Sequence, residues 1–326
     1  MKFHVQATVL ALSIAALAVP TQALAQSDVP DGNQAETASK IKVVFVIAFE
    51  NHDAKQIYGN KSDAPYINNT LMQTYAYATN FRDELPNEES EAHYVWMEAG
   101  TNKFSDHSFT GDGDATKNNS TGNTAHLVTQ IKNASNGATW MSYQEGISDK
   151  TGKCPITSSK FYAAKHNPFV FFRDVSGNPP SKNNSYCISH HKDSSLLAAD
   201  LANNRVATYN FITPNLCNDM HGESGCPSNN EIRMGDDWLK NNLPALISYV
   251  NANEGVIFLT WDEGDGTNLL PFIAVGPGVK KGYASTVKWT HSSQVKSIER
   301  ILELPVLSTV SSATDFADLF ETGQFP

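Results

Sequence analysis

The sequence predicts an α/β fold, a mainly parallel central sheet sandwiched by helices, in one domain with long loops. Three observations predict it. Ile41 to Phe49 and Val256 to Trp261 are nearly continuous apolar runs, rich in β-branched and aromatic residues, as strands covered on both faces require. Segments of helical spacing alternate with such runs, the order of a parallel sheet joined by crossover helices. Polar and acidic residues follow each run: Glu50-Asn51-His52-Asp53 after the first, Asp262-Glu263-Gly264-Asp265 after the second. Parallel strands deliver their C-terminal ends to one edge, where ligands of open α/β sheets bind.

The start of the chain sets the compartment. Lys2, the apolar run Val9 to Val19 and Ala23-Leu24-Ala25 describe a secretory signal peptide over residues 1–25, and the run is short for a membrane span. Residues 26–40 are polar with small residues, a flexible leader. Residues 41–326 then form one domain, since no linker or internal repeat divides them. The expected location is secreted or periplasmic, with no transmembrane segment in the mature chain. A net charge of −10 argues against nucleic acid as a partner, yet an acidic protein binds phosphate esters where a metal supplies local positive charge. Nothing in the sequence fixes an oligomeric state.

The four cysteines, Cys154, Cys187, Cys217 and Cys226, suit two disulfides in an oxidising compartment. Cys217 with Cys226 closes a short loop and leaves Cys154 with Cys187, one of three pairings. The spacing lacks a C-x-x-C pair, which disfavours a thiolate zinc site.

In chain order, Ile41 to Phe49 is the first strand. Tyr66, Ile67, Leu71 and Tyr75 predict a helix over Pro65 to Tyr77. Ser90 precedes a helical segment, Glu91 to Ala99, stopped by Gly100. Residues 102–137 are polar and glycine-rich, a long surface loop or lid, whose Asp112-Gly113-Asp114 lacks the rest of an EF-hand loop. Thr139 to Gly146 starts a helix or strand. His166 sits at a turn before Asn167-Pro168. A helix over Ser194 to Leu201 and a strand over Arg205 to Thr213 follow, the latter ending in Pro214 to Gly222. A helix over Asp237 to Asn251 has Trp238, Leu243, Leu246 and Val250 on its apolar side. After the Val256 strand come a strand and turn, Pro271 to Gly278, and a helix from His291 stopped by Pro305.

Several of these features admit two readings. Asp262, Glu263 and Asp265 are either a solvated acidic turn or part of a cation site, because clustered carboxylates repel unless a cation or protons intervene. Ser90 is either a helix cap, accepting a backbone N–H, or a nucleophile whose helix N-terminus faces an anion. Each histidine taken singly is a packed or solvated residue as readily as a ligand.

In this order the segments Phe49 to Asp53, Ser90 to Gly100, Trp140-x-x-Tyr143-Gln144-Glu145 and Lys165-His166-Asn167-Pro168-Phe169 resemble the phosphoesterase family of bacterial phospholipases C and acid phosphatases. Pro214 to His221, Thr260 to Gly264, Gly276-Pro277-Gly278 and His291 to Pro305 continue the match. The family lies within the alkaline-phosphatase-like superfamily, and the resemblance covers Ile41 to Val306.

The resemblance implies roles. Glu50, Asn51, Asp262 and Glu263, with Ser90, match metal-binding positions. Ser90 also matches the nucleophile that is transiently phosphorylated. His221, His291 and His166 match catalytic positions; Asn215, Asp219 and His190 match positions that hold substrate or a second ion. Where relatives follow the nucleophile with x-Pro-Asn, this chain has Glu91-Ala92-His93, so His93 stands where an asparagine would hold a phosphate oxygen. The cofactor implied is a divalent metal: oxygen ligands suit calcium, magnesium or manganese, and the histidines keep zinc open. The expected activity is hydrolysis of phosphate esters, acid-phosphatase-like, with phospholipase C action on lipid headgroups as the alternative. A catalytically inactive binding protein on the same fold is the reading of another class. Asp265, beyond Gly264, is assigned to the turn alone.

Overall fold

The computed structural model describes residues 1–2, 40–147 and 152–326; the signal peptide and nearly all of the leader lie outside the described residues. Ten strands are described: β1 Val43–Phe49, β2 Ala76–Ala78, β3 Phe81–Arg82, β4 Trp140–Gln144, β5 His191–Asp193, β6 Tyr209–Thr213, β7 Gly255–Trp261, β8 Leu269–Leu270, β9 Phe272–Val275 and β10 Ala284–Ser285. Eight form one sheet in the order β10-β2-β9-β7-β1-β6-β4-β5, and β3 pairs with β8 apart from it. From β7 through β1, β6 and β4 to β5 every pairing is parallel, whereas β9 runs antiparallel to both β7 and β2.

Every residue of β1 and β7 is buried, and alternate side chains serve two cores. Val44, Val46 and Ala48 pack on one face with Tyr94, Val95 and Ile298, beneath the helices Ser90–Ala99 and His291–Ile301. Phe45, Ile47 and Phe49 pack on the other with Leu243, Leu246 and Val250 of the helix Glu231–Ala252. Burying both faces is what makes these strands read as unbroken apolar runs. The register sets Phe49 beside Trp261, and the Asp262 N–H donates to the Phe49 carbonyl at 3.0 Å. Glu50 and Asp262 therefore leave the sheet side by side.

Four expectations change. The helix predicted to Tyr77 ends at Thr74: Ile67 and Leu71 are buried as the spacing requires, but Tyr75 is extended and Ala76 and Tyr77 pair with β9. A sheet ladder here overrides helical spacing. Residues 102–137 are not a free surface loop, because they contain the helix Leu127–Asn133 and bury Phe109, Thr121 and His126. The long helix starts earlier than Asp237, where the Asn230 side chain accepts from the Arg233 N–H and caps it. The last helix stops at Ile301, before Pro305 is reached, and Glu303 takes a left-handed φ of 53°. Both disulfides, Cys154–Cys187 and Cys217–Cys226, form with Cα separations of 5.3 and 5.4 Å. Among the described residues no helix is long and apolar enough to cross a membrane.

Candidate active site

The site grows from strand ends. After β1, Asn51 adopts φ 47°, a left-handed turn that asparagine tolerates. Its N–H donates to Asp262 Oδ1 at 3.2 Å, tying the β1 and β7 ends together. After β6, the segment held by the Cys217–Cys226 disulfide returns Asp219 to the same place, and the Glu50 N–H donates to the Asp219 carbonyl at 2.8 Å. Gly264 lets the chain turn away after Glu263: a Cβ there would meet Asp53 Oδ1 at 2.3 Å and the Thr267 carbonyl at 2.7 Å.

Ser90 is the first residue of its helix, with Glu89 rather than Ser90 at the cap position. The serine oxygen is thus spared from capping. Its hydroxyl lies 3.1 Å from Glu263 Oε1 and 3.4 Å from Glu50 Oε2. Lys165 Nζ stands 3.5 Å from the same oxygen. At the far end Gly100, at φ 63°, closes the helix by donating to the Trp96 carbonyl, the left-handed stop glycine supplies.

Glu50, His166 and Asp219 bring one ligand atom each to within 4.8 Å of one another. His166 lies between the two carboxylates, Nε2 3.3 Å from Glu50 Oε1 and Nδ1 3.4 Å from Asp219 Oδ2, and its ring stacks on Tyr94. Burial, then the nearby Lys165 and His221, holds the His166 pKa well below the usual histidine value, so the ring is neutral and has a lone pair to give. Burial pushes the Glu50, Asp219 and Asp262 carboxyls well above the ordinary range, and neighbouring carboxylates add to it. Glu50 Oε1, Asn51 Oδ1, Asp219 Oδ2, Asp262 Oδ2 and His166 Nε2 are all buried without a hydrogen-bond partner. Buried polar atoms are ordinarily paired. Five such atoms on four converging segments fit a divalent metal, which would satisfy them and reverse the repulsion among the carboxylates.

The remaining candidates divide. His221 lines an open cleft of about 400 Å³ together with Asn51, His52, Glu263 and Asp265; its Nδ1–H donates to the Gly222 carbonyl at 2.7 Å and its backbone N–H to Asp219 Oδ1. His291 is buried nearby, but its Nε2–H donates to the Trp261 carbonyl at 2.8 Å, which supports the end of β7. His93 does not stand in for the asparagine of relatives. Both its nitrogens are committed, to the Glu89 carbonyl and to Asp83 Oδ1, each at 3.0 Å. Burial would lower its pKa, yet Asp83, Asp262 and Glu263 raise it to about 9, making it a fixed cation beside the carboxylates. Asn215 shapes the loop that carries Asp219: its side-chain oxygen accepts from the Cys217 N–H, and its own N–H donates to Glu145. His190 lies elsewhere, stacked on Trp140 with Nδ1 on the Tyr186 carbonyl. Trp140 opens β4, so this ring stands away from the edge at which the strands deliver Glu50 and Asp262.

Sequence reading missed Lys165, Asp112, Asp83 and Tyr94. Lys165 pairs with Asp112 at 2.5 Å, and Asp112 Oδ1 accepts the Glu91 N–H at 3.0 Å. Lys165 stood inside a segment already singled out, next to His166, and that adjacency was the available signal.

Comparison with known proteins places this geometry. The family model described as "Phosphoesterase family" matches residues 87–305. A phosphatidylinositol-3-phosphatase of Mycobacterium tuberculosis is 29% identical over 283 residues, covering 85% of this chain and 82% of that protein. A probable acid phosphatase of Kluyveromyces lactis is 27% identical over 205 residues, covering 56% of this chain and 46% of its own length. Among solved structures, a phosphonate monoester hydrolase from Silicibacter pomeroyi has a TM-score of 0.52 at 11% identity, covering 89% of this chain and 78% of that one. A protein of the alkaline phosphatase superfamily from Vibrio parahaemolyticus has a TM-score of 0.51 at 10% identity, covering 84% and 69%. These two likenesses are of fold. With the family match spanning well over half of its length, the chain belongs to the phosphoesterase family and is a hydrolase of phosphoric esters.

Proposed function

We propose that the protein is a secreted, metal-dependent, acid-phosphatase-like phosphomonoesterase that works through a phosphoserine on Ser90. The observation that carries this is the position of Ser90: its hydroxyl sits at a helix N-terminus and within 3.4 Å of two carboxylates from different strand ends. Glu50, Asn51, Asp262 and Glu263 would hold the ion, and Asp219 and His166 offer further ligand atoms. A bound divalent ion supplies positive charge for the serine oxygen and for the phosphoryl oxygens. Calcium, magnesium and manganese suit the oxygen donors, while the His166 nitrogen keeps zinc in contention.

The chain's own residues do the rest. The Ser90 hydroxyl gives its proton to Glu263 Oε1 as Oγ attacks phosphorus in line with the leaving oxygen. The helix N-terminus faces the charge on the phosphoryl group. His221, with Nδ1–H already committed to Gly222, gives an Nε2 proton to the leaving oxygen and takes one back from the water that follows. Water then cleaves the Ser90 ester by the reverse path and releases orthophosphate. The Mycobacterium relative's name supports an inositol-lipid headgroup phosphate as one phosphomonoester to try. Two disulfides and the basic, apolar start of the sequence support secretion.

Acid-quenching the enzyme during turnover of an aryl phosphate should leave a phosphoryl group on Ser90, detectable by peptide mass. Near-normal turnover by Ser90→Ala would sink the nucleophile, and activity that survives exhaustive chelation would sink the metal. Preference for phosphatidylcholine over p-nitrophenyl phosphate would turn the reading to a phospholipase C. A metal-free protein inert on both would turn it to a binding protein.

A further inference from the structure

One carboxylate already occupies two donors at the start of the Ser90–Ala99 helix. Asp112 Oδ1 accepts the Glu91 N–H at 3.0 Å, and Asp112 Oδ2 accepts from Lys165 Nζ at 2.5 Å. Lys165 Nζ is also 3.5 Å from Ser90 Oγ. A helix-terminal N–H and an ammonium group that converge beside a nucleophilic hydroxyl are donors suited to a phosphoryl anion. Here an anion from the chain itself spans them. The loop that carries Asp112 is fastened to the same helix, because the Gly113 N–H and Asn119 Nδ2 donate to Glu91 Oε2 at 2.9 and 3.0 Å. The Lys165 and Asp112 side chains are 19% and 28% exposed, so substrate can reach the pair from solvent.

Resting on the phosphomonoesterase reading above, we propose that Lys165 Nζ and the Glu91 N–H form this chain's phosphate cradle. Asp112 fills the cradle until phosphoryl oxygens displace its carboxylate. The assignment accounts for the departure after Ser90. With His93 committed to Glu89 and Asp83, the missing asparagine's contact falls to Lys165. The exchange swaps one anion for another and moves no proton or electron. Asp112 turns out to solvent while Gly113 and Asn119 keep the loop tied to Glu91. Phosphate affinity is then a difference between two anions competing for the same donors.

The test is calorimetric binding of orthophosphate to the metal-replete protein, for wild type, Asp112→Ala, Lys165→Met and the double variant. A charge-assisted hydrogen bond corresponds to about a factor of ten or more in affinity. Asp112→Ala should therefore bind phosphate about tenfold tighter and Lys165→Met about tenfold weaker, with the double variant gaining less over Lys165→Met than Asp112→Ala gains over wild type. Asp112→Asn, which keeps an acceptor for Glu91 but drops the charge, should fall between wild type and Asp112→Ala. Circular dichroism and melting confirm that each variant is folded. Asp112→Ala binding no tighter than wild type overturns the cradle, as does an equal gain from losing Asp112 whether or not Lys165 is present. Absence of phosphate binding in all four proteins overturns it too. Because Ser90 stays intact and no turnover is needed, failure here is separate from failure of the nucleophile, which only the Ser90→Ala assay reads.

Discussion

The helix Ser90–Ala99 has a cluster of carboxylates and histidine at each end, and the two differ in how their charges close. At its C-terminal end, His126 donates from Nδ1 to Glu98 Oε1 at 2.9 Å and from Nε2 to Asp174 Oδ1 at 3.0 Å. Thr129 bonds Asp174, and the Val128 N–H bonds Glu98. Burial would lower the His126 pKa, but its two carboxylate bonds raise it, so the cluster supplies its own cation; Glu98 Oε2 alone there lacks a partner. At the N-terminal end, Glu50, Asp219, Asp262 and Glu263 meet His166, held neutral, while the nearby cations His93 and Lys165 are bonded to Asp83 and Asp112, so that buried acceptor atoms from three of these four carboxylates remain without hydrogen-bond partners. Similar residue types thus make a closed structural tie in one place and a cation-seeking site in the other. The difference is one of counting protons and partners.

That contrast is easiest to break at the acidic cluster. Asp262→Asn or Glu50→Gln should lower kcat/KM by about 10²–10³-fold or more and abolish stoichiometric metal in elemental analysis. The metal-free variant should melt no lower than metal-free parent, because one mutually repelling buried charge is gone. The closed cluster should behave the opposite way. His126→Ala strands Glu98 and Asp174 without their cation and should cost roughly 3–5 kcal/mol in denaturant unfolding, while protein that remains folded keeps its metal. If His126→Ala lost metal and Asp262→Asn lost stability, the two assignments would be reversed.

What the sequence made legible follows from the range of each interaction. β1 and β7 could be read because burial on both faces writes itself into consecutive residues, and their acidic ends could be read because β-register brings Glu50 and Asp262 together automatically. Lys165, Asp112 and the Glu98–His126–Asp174 tie could not, since each depends on segments far apart in sequence meeting around one helix. The polar composition of residues 102–137 suggested a free loop, yet its polar side chains are the fasteners: Asn119 to Glu91, His126 to Glu98, Thr121 to Asp106. Residue type alone also misplaced His190, which precedes its strand instead of following one.

A smaller effect tests a buried carboxyl outside both clusters. Burial raises the Glu299 pKa from 4.5 to about 7, with the charge of Glu98 contributing; its Oε1 accepts the Leu307 N–H. The folded value lies above the unfolded one, so the native state holds a proton that the unfolded state releases between these values. This contribution is fully present below about pH 4.5 and lost as pH rises through about 7. Unfolding free energy should therefore slope downward in that window by at most about 1.4 kcal/mol per pH unit. Glu299→Gln should remove that part of the slope, whereas an unchanged slope would mean that the carboxyl ionises without cost.

The smallest effect separates neighbours within one turn. Asp262 and Glu263 enter the cluster, but Asp265 lies past Gly264, is exposed, and only borders the open cleft. An exposed charge at that distance is screened by water and salt. Asp265→Asn should leave metal stoichiometry unchanged and shift kcat/KM by less than about twofold, since surface changes away from such features typically stay within ±0.5 kcal/mol. Glu263→Gln, two residues earlier, removes the charge and the basic oxygen 3.1 Å from the Ser90 hydroxyl and should depress kcat more than it raises KM. Equal losses at 263 and 265 would mean that the whole turn acts as a diffuse acidic patch, and the site would lose its boundary.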